Sequence, residues 1–162
     1  MKLTKKERSL ARLATYHGKL YDESFIEANS GQDGNPIKGS EETVTSTRKT
    51  MAKWEKITDS LKEPCKYTLT DEDRCSLCLA IRAATSYQYD WIETCSIRGV
   101  VMKGYAADVR RTKAMILGWI KLAGKLDPGF IIRNGPAHEM AKTAKAYTIQ
   151  EIHAMIKRGE RP

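Results

Sequence analysis

Apolar side chains recur along most of this chain at three- and four-residue intervals, the period of an amphipathic helix, and no segment sustains the alternation of a strand. Leu3, Leu10, Leu13 and Ala14, with arginine and lysine between them, predict a first helix ending near Gly18. Met51, Trp54, Ile57 and Leu61 predict a second, stopped by Pro64. Thr70 offers a capping hydroxyl ahead of Asp71, Glu72 and Asp73, acids placed where the helix dipole favours them, and a third helix follows through Leu77, Ile81 and Ala84. A fourth is predicted over residues 89–97, closing at Gly99. Farther on, Asp127-Pro128-Gly129 reads as a turn. Thr148 and Glu151 then form a capping-box pattern before Ile149, Ile152 and Ile156, with Gly159 as the stop. The expected fold class is all-α: a compact multi-helix domain with a short C-terminal helix.

One stretch departs from the helical pattern. Residues 21–47 hold six acids (Asp22, Glu23, Glu27, Asp33, Glu41, Glu42) against one base, interleaved with Gly31, Gly34, Pro36 and Gly39. Glycine and proline interrupt both regular periods and there is little apolar surface to bury, so a flexible polar loop is expected near 29–47. Residues 1–68 are then expected to form an N-terminal part of helices and loop, 69–131 a helical DNA-binding region, for reasons given below, and 132–162 a C-terminal helical extension.

Charge changes the picture more than bulk composition does. The chain has 162 residues, 41% hydrophobic and 30% charged, which suits one soluble globular domain, and its formal net charge is +8. Six bases (Lys103, Arg110, Arg111, Lys113, Lys121, Lys125) face a single acid, Asp108, within residues 99–126. That segment also carries the layout of a helix-turn-helix over 102–121. Ala106 stands as the small residue where two helices would cross. Tyr105 and Val109 supply one facing side, Ile116, Trp119 and Ile120 the other, and Thr112 caps the second helix. On that reading Arg110 and Arg111 sit in the turn beside the phosphates, while Thr112, Lys113, Ala114, Leu117, Gly118 and Lys121 face the major groove of double-stranded DNA. The bland alternative is two ordinary helices with a basic solvated face, and the turn's arginines, where a glycine and an apolar residue are usual, depart from the motif.

Residues 69–131 resemble the late-gene antiterminator Q proteins of lambdoid phages. The resemblance is carried by Leu69-Thr70-Asp71-Glu72-Asp73 opening a helix, Tyr89-Asp90-Trp91-Ile92 in the next, and Arg98-Gly99-Val100 before the helix-turn-helix. It ends with Ile120-Lys121-Leu122-Ala123-Gly124-Lys125-Leu126-Asp127-Pro128-Gly129-Phe130-Ile131. What it implies is a transcription antitermination factor that binds DNA at a phage late promoter. There it would join paused bacterial RNA polymerase while sigma is still present, and then travel with it past terminators. The implied location is the cytoplasm of a bacterial host cell. A plain helix-turn-helix regulator, repressor or sigma-like, would share the motif without travelling with polymerase, and a metal-dependent nuclease is the enzymatic alternative.

No enzyme constellation gathers elsewhere: there is no glycine-rich phosphate loop and no nucleophile elbow, and the 71–73 acids are explained by helix-start electrostatics. No cofactor and no metal is expected. Cys75 and Cys78 have metal-like spacing but are a single pair, with Cys65 and Cys95 standing apart, so packing thiols are the expectation. His17, His138 and His153 read as cationic or capping residues. Lys2, Lys5, Lys6, Arg8 and Arg12 interrupt any apolar core of a signal peptide. The uncharged runs 114–120 and 128–132 fall far short of the roughly 20 apolar residues of a membrane span, so neither export nor membrane insertion is expected.

Overall fold

Two copies of one local signal set the architecture. Thr4 and Thr70 each follow a buried leucine and each closes a capping box, Thr4 with Glu7 and Thr70 with Asp73, so that two 24-residue helices start on satisfied N–H groups. In the computed structural model, which describes residues 1–62 and 67–129 together with residues 146, 147, 154 and 158, these are α1 (Lys5–Ala28) and α3 (Asp71–Thr94). They run side by side in the same direction. Their starts are tied by Leu69 N–H donating to the Met1 carbonyl at 2.9 Å and the Met1 amine donating to the Leu69 carbonyl at 3.0 Å.

Small residues let the pair approach closely. Ala11, Ala14 and Gly18 on α1 are buried against α3, and a Cβ at Gly18 would lie 2.9 Å from the Ala80 carbonyl oxygen and 3.1 Å from the Trp54 ring. Gly18 therefore serves helix contact rather than termination, and α1 continues ten residues beyond the stop expected there. The acidic stretch accordingly splits: 21–28 are helical, α2 (Glu41–Ser60) begins ten residues before Met51, and only 29–40 remain as a loop. That loop is tied down by a bridge between Ser30 and Pro36 and by the Ser40 hydroxyl on the Asn29 and Ile37 carbonyls.

The other two helices pack antiparallel to α1. On α2, Thr58 meets Thr15 (Oγ1 to Oγ1, 2.6 Å), Glu55 accepts from Lys19, and the Trp54 indole N–H donates to the Ser76 carbonyl at 3.0 Å. On α4 (Ala106–Leu126), Lys125 pairs with Glu7 at 2.6 Å and the Trp119 indole N–H donates to the Leu10 carbonyl at 2.9 Å. One core unites the helices: Leu3, Ala11 and Ala14, Ile57 and Leu61, Leu77, Ile81 and Ala84, and Ile116, Trp119, Ile120 and Ala123. The fold is all-α, with residues on both sides of position 68 sharing that core.

Two expected boundaries are corrected between 84 and 121. The third and fourth predicted helices are one, since nothing between Ala84 and Tyr89 breaks a helix and α3 runs on to Thr94. The helix-turn-helix over 102–121 is not formed: α4 is continuous from Ala106 to Leu126, and Arg110, Arg111 and Thr112 lie inside it. The physical reason is local. Arginine is a strong helix former, no glycine or proline stands between Ala106 and Leu117, and one unbroken apolar stripe (Val109, Ile116, Trp119, Ile120, Ala123) fits a single helix. Thr112 consequently caps nothing, and Ala106 is the first residue of α4 rather than a crossing point.

A small sheet joins α3 to α4. Strands β1 (Ser96–Ile97) and β2 (Val100–Met102) form a two-residue hairpin at Arg98-Gly99, both with positive φ (50° and 82°), the backbone demanded by tight hairpin turns. β3 (Ala146–Tyr147) adds in parallel, with Val101 opposite Ala146. The 148–158 helix expected near the C-terminus lies largely outside the described residues, where Ala154 is helical and the Arg158 N–H bonds its carbonyl.

Candidate nucleic-acid interface

The antiparallel packing of α4 on the first turns of α1 brings together the two most basic segments of the chain. Residues 1–12 and 103–126 hold eleven lysines and arginines against two acids, Glu7 and Asp108, while the remaining residues hold 17 bases against 18 acids. The whole positive excess is thus carried by these two segments. Both of their acids are already engaged: Glu7 accepts from the Thr4 N–H and from Lys125, whose hydrogen bond holds its carboxyl below the usual range, and Asp108 pairs with Arg111.

Helix phase sorts the residues singled out in the sequence. Arg110, Ala114, Leu117 and Lys121 follow i, i+4, i+7 and i+11, so they share one outward side of α4, and Arg110 and Lys121 are exposed about 16 Å apart at 1.5 Å per residue. Ala114, Leu117 and Lys121 also line a groove of about 530 Å³ shared with the capping Thr4 and with Lys6, Glu7 and Leu10 of α1, and Gly118 lets the Leu10 methyls come close. Its floor is apolar and its rims carry Lys6 and Lys121. Arg111, Thr112 and Lys113 point elsewhere. Arg111 is exposed but paired with Asp108, Thr112 lies on the inward line of Ile116 and Trp119, and Lys113 is half-buried, with its ammonium pushed below the ordinary lysine value by desolvation.

The contribution of α1 was missed from sequence. The signal existed in Lys2, Lys5, Lys6 and Arg12, but nothing local says that these lysines lie beside α4. His17 was also misplaced. It sits mid-helix with Nδ1 3.0 Å from the Gln88 amide, its ring stacked on Tyr87 and edge-on to Trp119, and burial lowers its pKa so that the neutral ring is favoured. Cys75 is exposed while Cys78 and Cys95 are buried, and among the described residues no group of three metal-ligating side chains could hold an ion. Cys65, His138 and His153 lie outside the described residues.

One carboxyl carries a pH dependence. Asp22, half-buried on α1, is pushed up to about 6 by burial. Because the folded value lies above the unfolded one, the ionised form is the disfavoured one. The resulting penalty is absent at pH values below about 4 and complete above about 6. Asp22→Asn should therefore stabilise the fold at pH 7 by about 1 kcal/mol, after allowing for solvent screening of a half-exposed group, and have little effect at pH 4. Urea melts at the two pH values measure this. An equal effect at both would show that burial of the charge is not its cause.

No protein-family model, curated protein or solved structure matches this chain. Among the described residues no helix is long and apolar enough to cross a membrane.

Proposed function

We propose that this protein is a DNA-binding transcription antitermination factor, one that loads at a phage late promoter, joins RNA polymerase paused there with sigma, and promotes readthrough of terminators. The observation that carries the DNA-binding half is the packing of two segments that together hold eleven cations against two engaged acids, with Lys6, Arg110 and Lys121 exposed. The antitermination half rests on the resemblance over 69–131. With α4 unbroken and α1 packed beside it, DNA is met by a two-helix basic surface: Lys6, Arg110 and Lys121 neutralise phosphates and release counterions, and no separate recognition helix enters the groove.

The test has two readings. Replacing Lys6, Arg110 and Lys121 together by alanine should leave the helical content intact, since all three are exposed. It should weaken duplex binding about tenfold per lost phosphate contact near 0.1 M salt and flatten the salt dependence by about 0.9 log units per contact. Unchanged affinity in the triple variant would remove the α1–α4 face as the DNA surface. The second reading is transcription from a template with a phage late promoter, its pause and a downstream intrinsic terminator. A protein that binds the template yet never raises readthrough is a plain DNA-binding regulator.

A further inference from the structure

A second surface lies on the C-terminal halves of α1 and α3, where acids outnumber bases. The second half of α1 with its loop (residues 20–37) and the second half of α3 with β1 (residues 83–97) contain six acids, Asp22, Glu23, Glu27, Asp33, Asp90 and Glu93, and no lysine or arginine. Among the described residues Asp22, Glu27, Asp90 and Glu93 form no ion pair. Between these helix halves lies an open groove of about 450 Å³ whose walls are Tyr21 and Phe25 on one side and Tyr87, Asp90 and Trp91 on the other.

Its aromatics stand outward. Tyr21 is 37% exposed and Phe25 36%, Trp91 is half-buried, and Tyr87 is steadied from behind by the His17 ring at 6.0 Å. Aromatic side chains left in contact with water and held on rigid helices are what binding hot spots are made of. Their ring faces attract cations, and arginine above all stacks on them while its fork pairs with a carboxylate. Asp90 supplies that carboxylate within the groove.

We propose that the α1–α3 aromatic groove docks a basic, arginine-bearing segment of a partner protein, its guanidinium stacking among Tyr21, Phe25 and Trp91 and pairing with Asp90. Charge selects the occupant: Asp90 is the only charged residue lining the groove, and the segments around it hold six acids and no lysine or arginine, with Lys19 already paired to Glu23 and Arg48 turned to the Gly34 carbonyl, so a cationic chain is favoured over nucleic acid and acidic peptides. The site lies on different residues from the DNA face, so it stands or falls separately.

The probe is a hexa-arginine peptide with blocked ends, titrated calorimetrically into the full-length protein at low salt beside hexa-lysine and hexa-glutamate. The expected results are saturable binding of hexa-arginine, tighter than hexa-lysine and absent for hexa-glutamate. Asp90→Asn and Phe25→Ser should each weaken it about fivefold, the scale of one cation–π contact or charge pair, while Lys121→Ala leaves it unchanged. Both are solvent-facing substitutions, and circular dichroism checks that the variants are folded. The proposal is overturned if nothing saturates by about 1 mM peptide, the weak end of measurable affinities, or if both variants bind as wild type. It is equally overturned if sedimentation shows the chain associating with itself and the same two substitutions abolish that association, for then the occupant is the basic face of a second copy.

Discussion

Replacing Trp119 with alanine should cost about 3–5 kcal/mol of folding stability, the range for removing a fully buried large aromatic. The side chain is 0% exposed, is among the largest in the core, and its indole N–H holds the Leu10 carbonyl at 2.9 Å. It also meets the His17 ring edge-on at 5.8 Å, so one side chain anchors α4 to two successive stretches of α1. A domain stable by about 5–15 kcal/mol has little margin after such a loss, and the variant should melt well below the parent. Trp119→Phe separates the contributions, since it keeps most of the apolar volume but loses the donor, and about 1–2 kcal/mol is expected from it. Urea titration of both variants measures this, and a loss under about 1 kcal/mol for Trp119→Ala would mean that the α1–α4 junction is held by other contacts. The proposed DNA face depends on the same junction, because Lys6 and Lys121 line one groove only while α1 and α4 stay docked.

What could be read from the sequence divides by the range of the interaction concerned. Thr70 with its trailing acids was legible as a helix start because capping is decided within four residues. The same pattern at Thr4 and Glu7 was equally local and went unread. Gly18 misled for the opposite reason: a glycine in a helical pattern marks either a stop or a close approach. Only the Ala80 backbone, 62 residues later, decides between them. The Arg98-Gly99 hairpin was hidden because a two-residue strand is too short to show alternation.

For the site, the charge of each segment was visible and their adjacency was not. Lys6 and Lys121 belong to one groove through tertiary packing, and the acidic 21–28 stretch resembled a loop because its apolar partners, Tyr21, Phe25 and Ile26, are few and only partly covered. A helix side whose apolar residues are only partly covered cannot be told from a core side or a loop by its pattern, and such sides are where partners bind.

The substitution that most sharply separates the observed helix from a helix-turn-helix is Arg111→Pro. Position 111 is the sixth residue of α4, so its N–H bonds the carbonyl four residues earlier, and proline there would remove that bond and drive its ring into the same carbonyl. The expected cost is about 3 kcal/mol or more, with lost helical signal, because Val109 and Ile116 on either side of the kink are buried in the one core and cannot both keep their places in it. A turn centred on 110–111 would tolerate the same proline at little cost, since its N–H would have no helical partner there. Arg111→Ala is the companion control. It removes the exposed pairing with Asp108, expected to be worth under about 1 kcal/mol, and keeps the helix, so nearly all the loss in the proline variant belongs to the backbone. Chemical denaturation of the two variants beside the parent gives the answer. A proline variant as stable as the alanine one would restore a break in α4, and with it a distinct recognition helix beginning at Thr112.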